Sequence, residues 1–192
     1  MRIPALFAAI AFGALGAVSS VADGGPQPAA AASGSAHDYS FTSIDGDPIP
    51  LAAYSGKPVL VVNTASFCGF TDQYRGLQAV WERYRDDGLV VIGVPSNDFG
   101  NQEPGTEAEI KEFCEINYDI TFPLTRKTVV KGAEAHPFYA WARQTLGPRN
   151  APRWNFHKYL VGADGRLIDA FGTATGPATR KVTAAIEAAL RE

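Results

Sequence analysis

Cys68 is the residue of this sequence with the clearest potential for chemistry, because of where the chain delivers it. Residues 59–62 are continuously β-branched and aliphatic, which predicts a strand buried on both faces. Residues 63–66 suit a loop leaving the end of a sheet, and Thr71 is placed to cap a helix over residues 72–84. A cysteine just before a helix N-terminus favours the reactive thiolate form. The alternative interpretation is a buried structural thiol.

The other elements alternate between strands and helices around this stretch. Residues 39–44 and 48–51 predict a hairpin, and residues 89–94 predict a second buried strand, parallel to the first because a helix lies between them. The later elements are a helix opened by a Thr106–Glu109 capping box, a short strand at 122–124 with Pro123 as a cis-proline candidate, a helix around His136, a hairpin of residues 156–161 and 166–171, and a helix at 179–190.

This order of elements predicts an α/β thioredoxin-like fold, in which a central mixed sheet is flanked by helices and preceded by a β-hairpin. In that fold a reactive cysteine sits where the first central strand hands over to its helix, and Cys68 occupies this place. Gly69, Phe70 and Thr71 follow it, so there is no Cys-x-x-Cys motif. The single cysteine disfavours dithiol exchange and favours peroxidase chemistry.

Composition narrows the function classes. The chain has 192 residues and a net charge of −3, with no Lys/Arg-rich run, which argues against a nucleic-acid partner. Two cysteines cannot build a disulfide framework, and His37, His136 and His157 are too scattered to suggest a metal site. We expect neither a metal nor another cofactor.

The N-terminal region has the pattern of an export signal. Residues 1–22 combine one early positive charge, an apolar run and a small-x-small sequence, which predicts a cleaved signal peptide; an uncleaved anchor is the alternative. The apolar run is short for a membrane span, so we expect no stable membrane association. Residues 23–37 predict a disordered linker and residues 38–192 the folded domain. Export indicates an oxidising compartment, in bacteria the periplasm, or the medium.

Three separated stretches resemble the signatures of the glutathione peroxidase family. They are Asn63-Thr-Ala-Ser-Phe-Cys-Gly-Phe-Thr71, Phe99-Gly-Asn-Gln-Glu-Pro-Gly105 and Arg153-Trp-Asn-Phe156. They occur in the family's order, and the resemblance covers roughly residues 38–192. Three motifs in order are far more specific than any one of them.

The resemblance implies roles for four residues. Cys68 matches the peroxidatic nucleophile, which reduces hydrogen peroxide or organic hydroperoxides and becomes a sulfenic acid. Gln102, Trp154 and Asn155 match the rest of the catalytic tetrad, and each offers an N–H donor that does not titrate near neutral pH. Without the resemblance, Gln102 would be an ordinary loop residue, Trp154 core packing and Asn155 a turn residue.

The sequence also departs from the family pattern. Ser96 stands where many relatives carry a cysteine, and Phe67 where a lysine is frequent. The segment between Trp141 and Trp154 is short, which favours a monomer. Compact relatives often use a thioredoxin-like protein rather than glutathione as reductant, through a resolving cysteine on the helix after the Gln-containing loop.

Cys114 lies on that helix, about one residue from the expected place of the resolving cysteine. It is therefore either a resolving thiol or a core residue, and its neighbours Phe113 and Ile116 suggest a buried face. Two other functions stay open from the sequence: a thiol–disulfide oxidoreductase on the same fold, and a non-enzymatic periplasmic binding protein with an inert Cys68.

Overall fold

The computed structural model describes Met1 and residues 34–192, which form four α-helices and six strands. The strands are β1 Ser40–Thr42, β2 Pro48–Pro50, β3 Val59–Thr64, β4 Val90–Pro95, β5 Lys158–Val161 and β6 Leu167–Phe171. The helices are α1 Gln73–Tyr84, α2 Glu107–Tyr118, α3 Pro137–Leu146 and α4 Arg180–Ala189. Short 3₁₀ turns occupy Ala36–Asp38, Leu51–Tyr54 and Pro148–Asn150.

Strand β3 is central to the main sheet, whose strand order is β4-β3-β5-β6. It pairs in parallel with β4, with Val59 opposite Val90, and antiparallel with β5, with Val59 opposite Val161. Helix α1 connects β3 to β4, because parallel neighbours need a crossover. The predicted parallel pair is confirmed, and so are the two antiparallel hairpins, β1–β2 and β5–β6.

Alternate residues of β3 serve opposite faces of the sheet, which explains its uniformly apolar start. Leu60 and Val62 belong to a core shared with α1, α2 and α4. Val59 and Val61 belong to a second core, shared with α3 and the β1–β2 hairpin. A mixed sheet between two layers, preceded by a hairpin, is the α/β architecture that the sequence predicts.

The segment around Pro123 differs from the prediction. Instead of a full strand it makes two isolated bridges, Leu124 to Gly93 and Thr125 to Ser43, which join the hairpin to the edge of the sheet. The cis-proline prediction for Pro123 is wrong, because no peptide bond in the described residues is cis. The close approach requires Gly93: a Cβ atom there would lie 2.6 Å from the Leu124 side chain.

The fold begins before residue 38, the predicted boundary. Ala36 is buried, and its N–H donates to the Gly165 carbonyl at 2.9 Å. Ser35 and Asp38 form a capping box around the first 3₁₀ turn. The predicted signal peptide after Met1 and the linker up to residue 33 lie outside the described residues. Within residues 34–192, no helix is long and apolar enough to cross a membrane.

Candidate active site

Cys68 lies on the turn that leads from β3 into α1, and only 9% of its surface is exposed. Its N–H donates to the Thr71 hydroxyl at 3.0 Å, and that hydroxyl lies 2.7 Å from the Cys68 carbonyl oxygen. The N–H of Phe70 donates to the Cys68 sulfur at 3.4 Å. The turn therefore places a backbone hydrogen-bond donor against the sulfur atom.

The prediction that Thr71 caps α1 is wrong. The helix begins after Asp72, whose side chain makes no capping hydrogen bond. The Thr71 hydroxyl is instead used within the turn, where it fixes the backbone of Cys68. The residue predicted to start the helix therefore shapes the cysteine turn.

Gln102 is attached to this turn through its backbone. Its carbonyl accepts the N–H of Phe67 at 3.0 Å, so the loop after β4 is fixed beside the residue that precedes Cys68. Its side-chain oxygen accepts a hydrogen bond from the Asn155 amide at 3.0 Å. This leaves the Gln102 NH₂ group without a partner among the described residues, and therefore available to donate.

Asn155 and Trp154 enter the site just before β5. Asn155 is fully buried, whereas 38% of Trp154 is exposed. The Asn63 amide at the end of β3 donates to the Trp154 carbonyl at 3.1 Å, and the Trp154 ring packs on Phe99 with ring centres 6.0 Å apart. The indole N–H has no hydrogen-bond partner within the described residues.

The structure thus brings the four predicted site residues to one end of β3. The side chains of Gln102 and Asn155 are joined by a hydrogen bond. The N–H of Phe67 connects the Cys68 turn to Gln102, and the Asn63 amide connects the end of β3 to Trp154. Their catalytic roles stay predictions. The arrangement offers several fixed N–H donors and two free thiols, Cys68 and Cys114, in this part of the chain.

Cys114 lies on the inner face of α2 and is completely buried. Burial raises the pKa of this thiol to about 11, although the neighbouring Tyr74 hydroxyl lowers it in part. Ile116, expected to share the buried face, is instead 70% exposed. Cys114 is therefore a core residue in this conformation and is held as the neutral, unreactive thiol.

Two buried charged residues near the site were missed by the sequence reasoning. Glu103 and Lys158 are both 0% exposed. Glu103 gives no sequence signal, since a loop carboxylate is ordinarily solvated. Lys158 could have been found: it shares a strand face with Phe156 and Leu160, both buried. Its ammonium group donates to the Gln73 side chain and to the carbonyls of Phe156 and Thr175 at 2.6–2.7 Å.

Comparison with known proteins assigns the chain to a family. The glutathione peroxidase family model matches residues 36–143. The hydroperoxy fatty acid reductase gpx1 of Synechocystis sp. is 43% identical over 156 residues, which cover 77% of this chain and 92% of that protein. The glutathione peroxidase-like peroxiredoxin HYR1 of Saccharomyces cerevisiae is 41% identical over 160 residues, covering 80% and 96%.

The same assignment follows from solved structures. The crystal structure of Trgpx in its apo form superposes with a TM-score of 0.66 at 33% identity, over 83% of this chain and 97% of that one. The residues matched by the family model include the cysteine turn and the Gln102 loop, and the superposition covers most of the chain. The protein therefore belongs to the glutathione peroxidase family, whose members are peroxide-reducing oxidoreductases of thioredoxin-like fold.

Proposed function

We propose that Cys68 is the peroxidatic cysteine, and that the protein reduces hydrogen peroxide or organic hydroperoxides with it. The observation that carries the proposal is the Asn155–Gln102 hydrogen bond, joined by Phe67 to the cysteine turn. It presents the Gln102 NH₂ group as an oriented donor at the end of β3. Donors fixed before the reaction are what a developing negative charge requires.

The chemistry is a two-electron oxidation of sulfur. The Cys68 thiolate attacks one peroxide oxygen; a sulfur–oxygen bond forms as the oxygen–oxygen bond breaks, and the departing oxygen takes up a proton. The products are water or an alcohol and the Cys68 sulfenic acid. One reducing thiol then condenses with the sulfenic acid, releasing water and forming a disulfide, and a second thiol releases Cys68 in its reduced form.

The reductant in this proposal is a thioredoxin-like protein or glutathione. The buried position of Cys114 favours direct attack by the external thiol, because disulfide geometry requires Cα atoms within about 7 Å and an accessible thiolate. A resolving role for Cys114 requires α2 to open locally so that its sulfur can leave the core.

The first experiment measures peroxide consumption with each reductant for wild type, Cys68→Ser and Cys114→Ser. We expect Cys68→Ser to lose turnover while keeping its far-ultraviolet circular dichroism spectrum. We expect Cys114→Ser to keep its turnover. Retained turnover in Cys68→Ser contradicts the proposal. Loss of thioredoxin-supported turnover in Cys114→Ser would instead assign Cys114 as the resolving thiol.

Organic hydroperoxides are the favoured substrates in this proposal. Phe67 and Phe70, on either side of Cys68, are 66% and 42% exposed, which is unusual for phenylalanine and provides apolar surface beside the reacting sulfur. The Synechocystis relative is named for fatty acid hydroperoxides. The ratio of kcat/KM for cumene hydroperoxide to that for hydrogen peroxide measures this preference.

We further propose an exported monomer. The N-terminal pattern of residues 1–22 supports export to the bacterial periplasm, and the short segment between Trp141 and Trp154 supports a monomer. Fractionation of the native host together with N-terminal sequencing of the mature protein tests the first part. Sedimentation equilibrium tests the second.

A further inference from the structure

Glu103 lines a cavity behind the cysteine turn. The cavity has a volume of about 380 Å³ and is lined by Ser66 and Phe67 on one side and by Glu103, Ile110 and Phe113 on the other. The Glu103 side chain is 0% exposed. Neither carboxyl oxygen makes a hydrogen bond of good geometry within the described residues, although the Ser66 N–H and hydroxyl lie close enough to lower its pKa. An acidic group so placed is costly when charged, because burial removes its hydration.

Hydrogen bonds on both sides of Glu103 fix its backbone. The Glu103 N–H donates to the Asn97 side chain at 2.8 Å. The Lys127 ammonium group donates to the carbonyls of Glu103 at 3.3 Å, Pro104 at 3.4 Å and Gly105 at 2.6 Å. These contacts fix the position of the Glu103 backbone on the loop after β4.

The charge of Glu103 changes in the neutral pH range. Burial raises its pKa to about 7, and Ser66 and the positive charge of Lys127 lower it only in part. The other titratable groups around it behave differently. Burial raises the pKa values of Tyr74 and Cys114, so both stay neutral, whereas hydrogen bonds from Thr106 lower the pKa of Glu109 on the rim of the cavity.

We propose that Glu103 is a positioning residue for Cys68 that works in its neutral form: the neutral carboxyl group packs behind the turn without adding charge, and the ionised form opposes the reaction. This inference rests on Cys68 being the reacting thiol. Glu103 acts through the 66–67 segment, which lies between its carboxyl group and Cys68.

The direction of the effect follows from the charges. A carboxylate behind the turn repels a thiolate at Cys68, and it also repels the negative charge that develops on the departing peroxide oxygen. Both repulsions lower the reactivity of Cys68 once Glu103 loses its proton. The rate of reaction of Cys68 rises with pH as the thiolate forms. In the wild type this rise should be smaller above neutral pH, because Glu103 is then ionised.

The test compares the pH dependence of Cys68 reactivity in wild type, Glu103→Gln and Glu109→Gln. Glutamine copies the shape of the neutral carboxyl group, and Glu109→Gln is the matched control because it removes a constant charge from the same cavity. Two rates are measured from about pH 5.5 to about pH 9: iodoacetamide alkylation of the Cys68 peptide by mass spectrometry, and single-turnover reaction with hydrogen peroxide.

We expect Glu103→Gln to match the wild type near pH 5.5 and to react roughly three- to tenfold faster near pH 8, because it lacks the carboxylate that opposes the reaction. The Glu109→Gln profile should keep the wild-type shape. Superimposable profiles of Glu103→Gln and wild type overturn the inference. Alkylation needs no peroxidase activity, so this result is separate from failure of the Cys68→Ser test.

A second variant covers the case in which Glu103→Gln does not fold. Ser66→Ala removes a hydroxyl that lowers the pKa of Glu103. The change of slope that Glu103 causes in the pH profile of Cys68 reactivity, called the bend here, should therefore move to higher pH. A bend that stays in place overturns the inference independently.

Discussion

At the scale of single residues, the Asn155–Gln102 pair shows how one side chain orients another. Asn155 is fully buried and donates its amide N–H to the Gln102 side-chain oxygen, which points the Gln102 NH₂ group away from itself. Either residue alone could rotate its amide. Together they fix the direction of a donor, which is the property that stabilisation of a departing oxygen requires.

Asn155→Ala should therefore impair catalysis more than stability. Losing one oriented donor is expected to lower kcat/KM for peroxide by ~100-fold. The exposed Asn117, whose amide donates within α2, gives the matched control Asn117→Ala, for which kcat/KM should not change. Equal kcat/KM values for Asn155→Ala and wild type would remove Asn155 from the catalytic group.

At the scale of elements, Thr106 and Thr71 occupy similar positions in the sequence but make different hydrogen bonds. Thr106 caps α2 through a capping box with Glu109, as the sequence predicts. Thr71 precedes α1 but binds the backbone of Cys68 instead of the helix. The sequence cannot separate them, because both are hydroxyl residues just before a helical pattern.

The pair provides a direct comparison of stability and activity. Thr106→Val should cost about 1 kcal/mol of unfolding free energy through loss of the cap and leave kcat/KM unchanged. Thr71→Val should lower kcat/KM as well, since the Cys68 N–H loses its acceptor. Urea unfolding and peroxide turnover of both variants check this; identical activity in the two would mean that Thr71 holds the fold rather than the site.

Most of the elements could be predicted, because their signals are local. The β-branched runs of β3 and β4, the Thr106 cap and the Asp164-Gly165 turn each act within a few residues of the chain. Gln102, Trp154 and Asn155 carry no such signal; only their match to family motifs singled them out. The burial of Glu103 and Cys114, the bridge at Leu124 and the early start at Ala36 depend on contacts between distant segments, which periodicity does not reveal.

At the scale of the whole molecule, burial of Lys158 makes stability depend on pH. Burial lowers the pKa of Lys158 to about 7, below the 10.5 of an exposed lysine. Between these values the unfolded chain binds more protons than the folded one, so unfolding becomes less favourable as pH rises. Below pH 7 both states are protonated and this contribution no longer varies.

The unfolding free energy of the wild type should rise by up to about 2 kcal/mol between about pH 7 and pH 8.5. Lys158→Met removes the titrating group, so its stability should lack this rise, whatever its absolute value. Lys57→Met, at an exposed lysine, should keep the wild-type slope. If the unfolding free energy of Lys158→Met rose with pH as steeply as that of the wild type, Lys158 would not be the source of the pH dependence.

The hydrogen bond between Ala36 and Gly165 also determines which side of the molecule an N-terminal attachment to a surface would cover. Gly165 belongs to the β5–β6 turn, which lies beside Val59 at the start of β3. Cys68 lies beyond Thr64, at the other end of the same strand. The chain therefore enters the domain at the end of the sheet opposite the cysteine. An enzyme coupled to a bead or an electrode through a tag ahead of Ser35 would keep the end of the sheet that carries Cys68 on the side facing the solution.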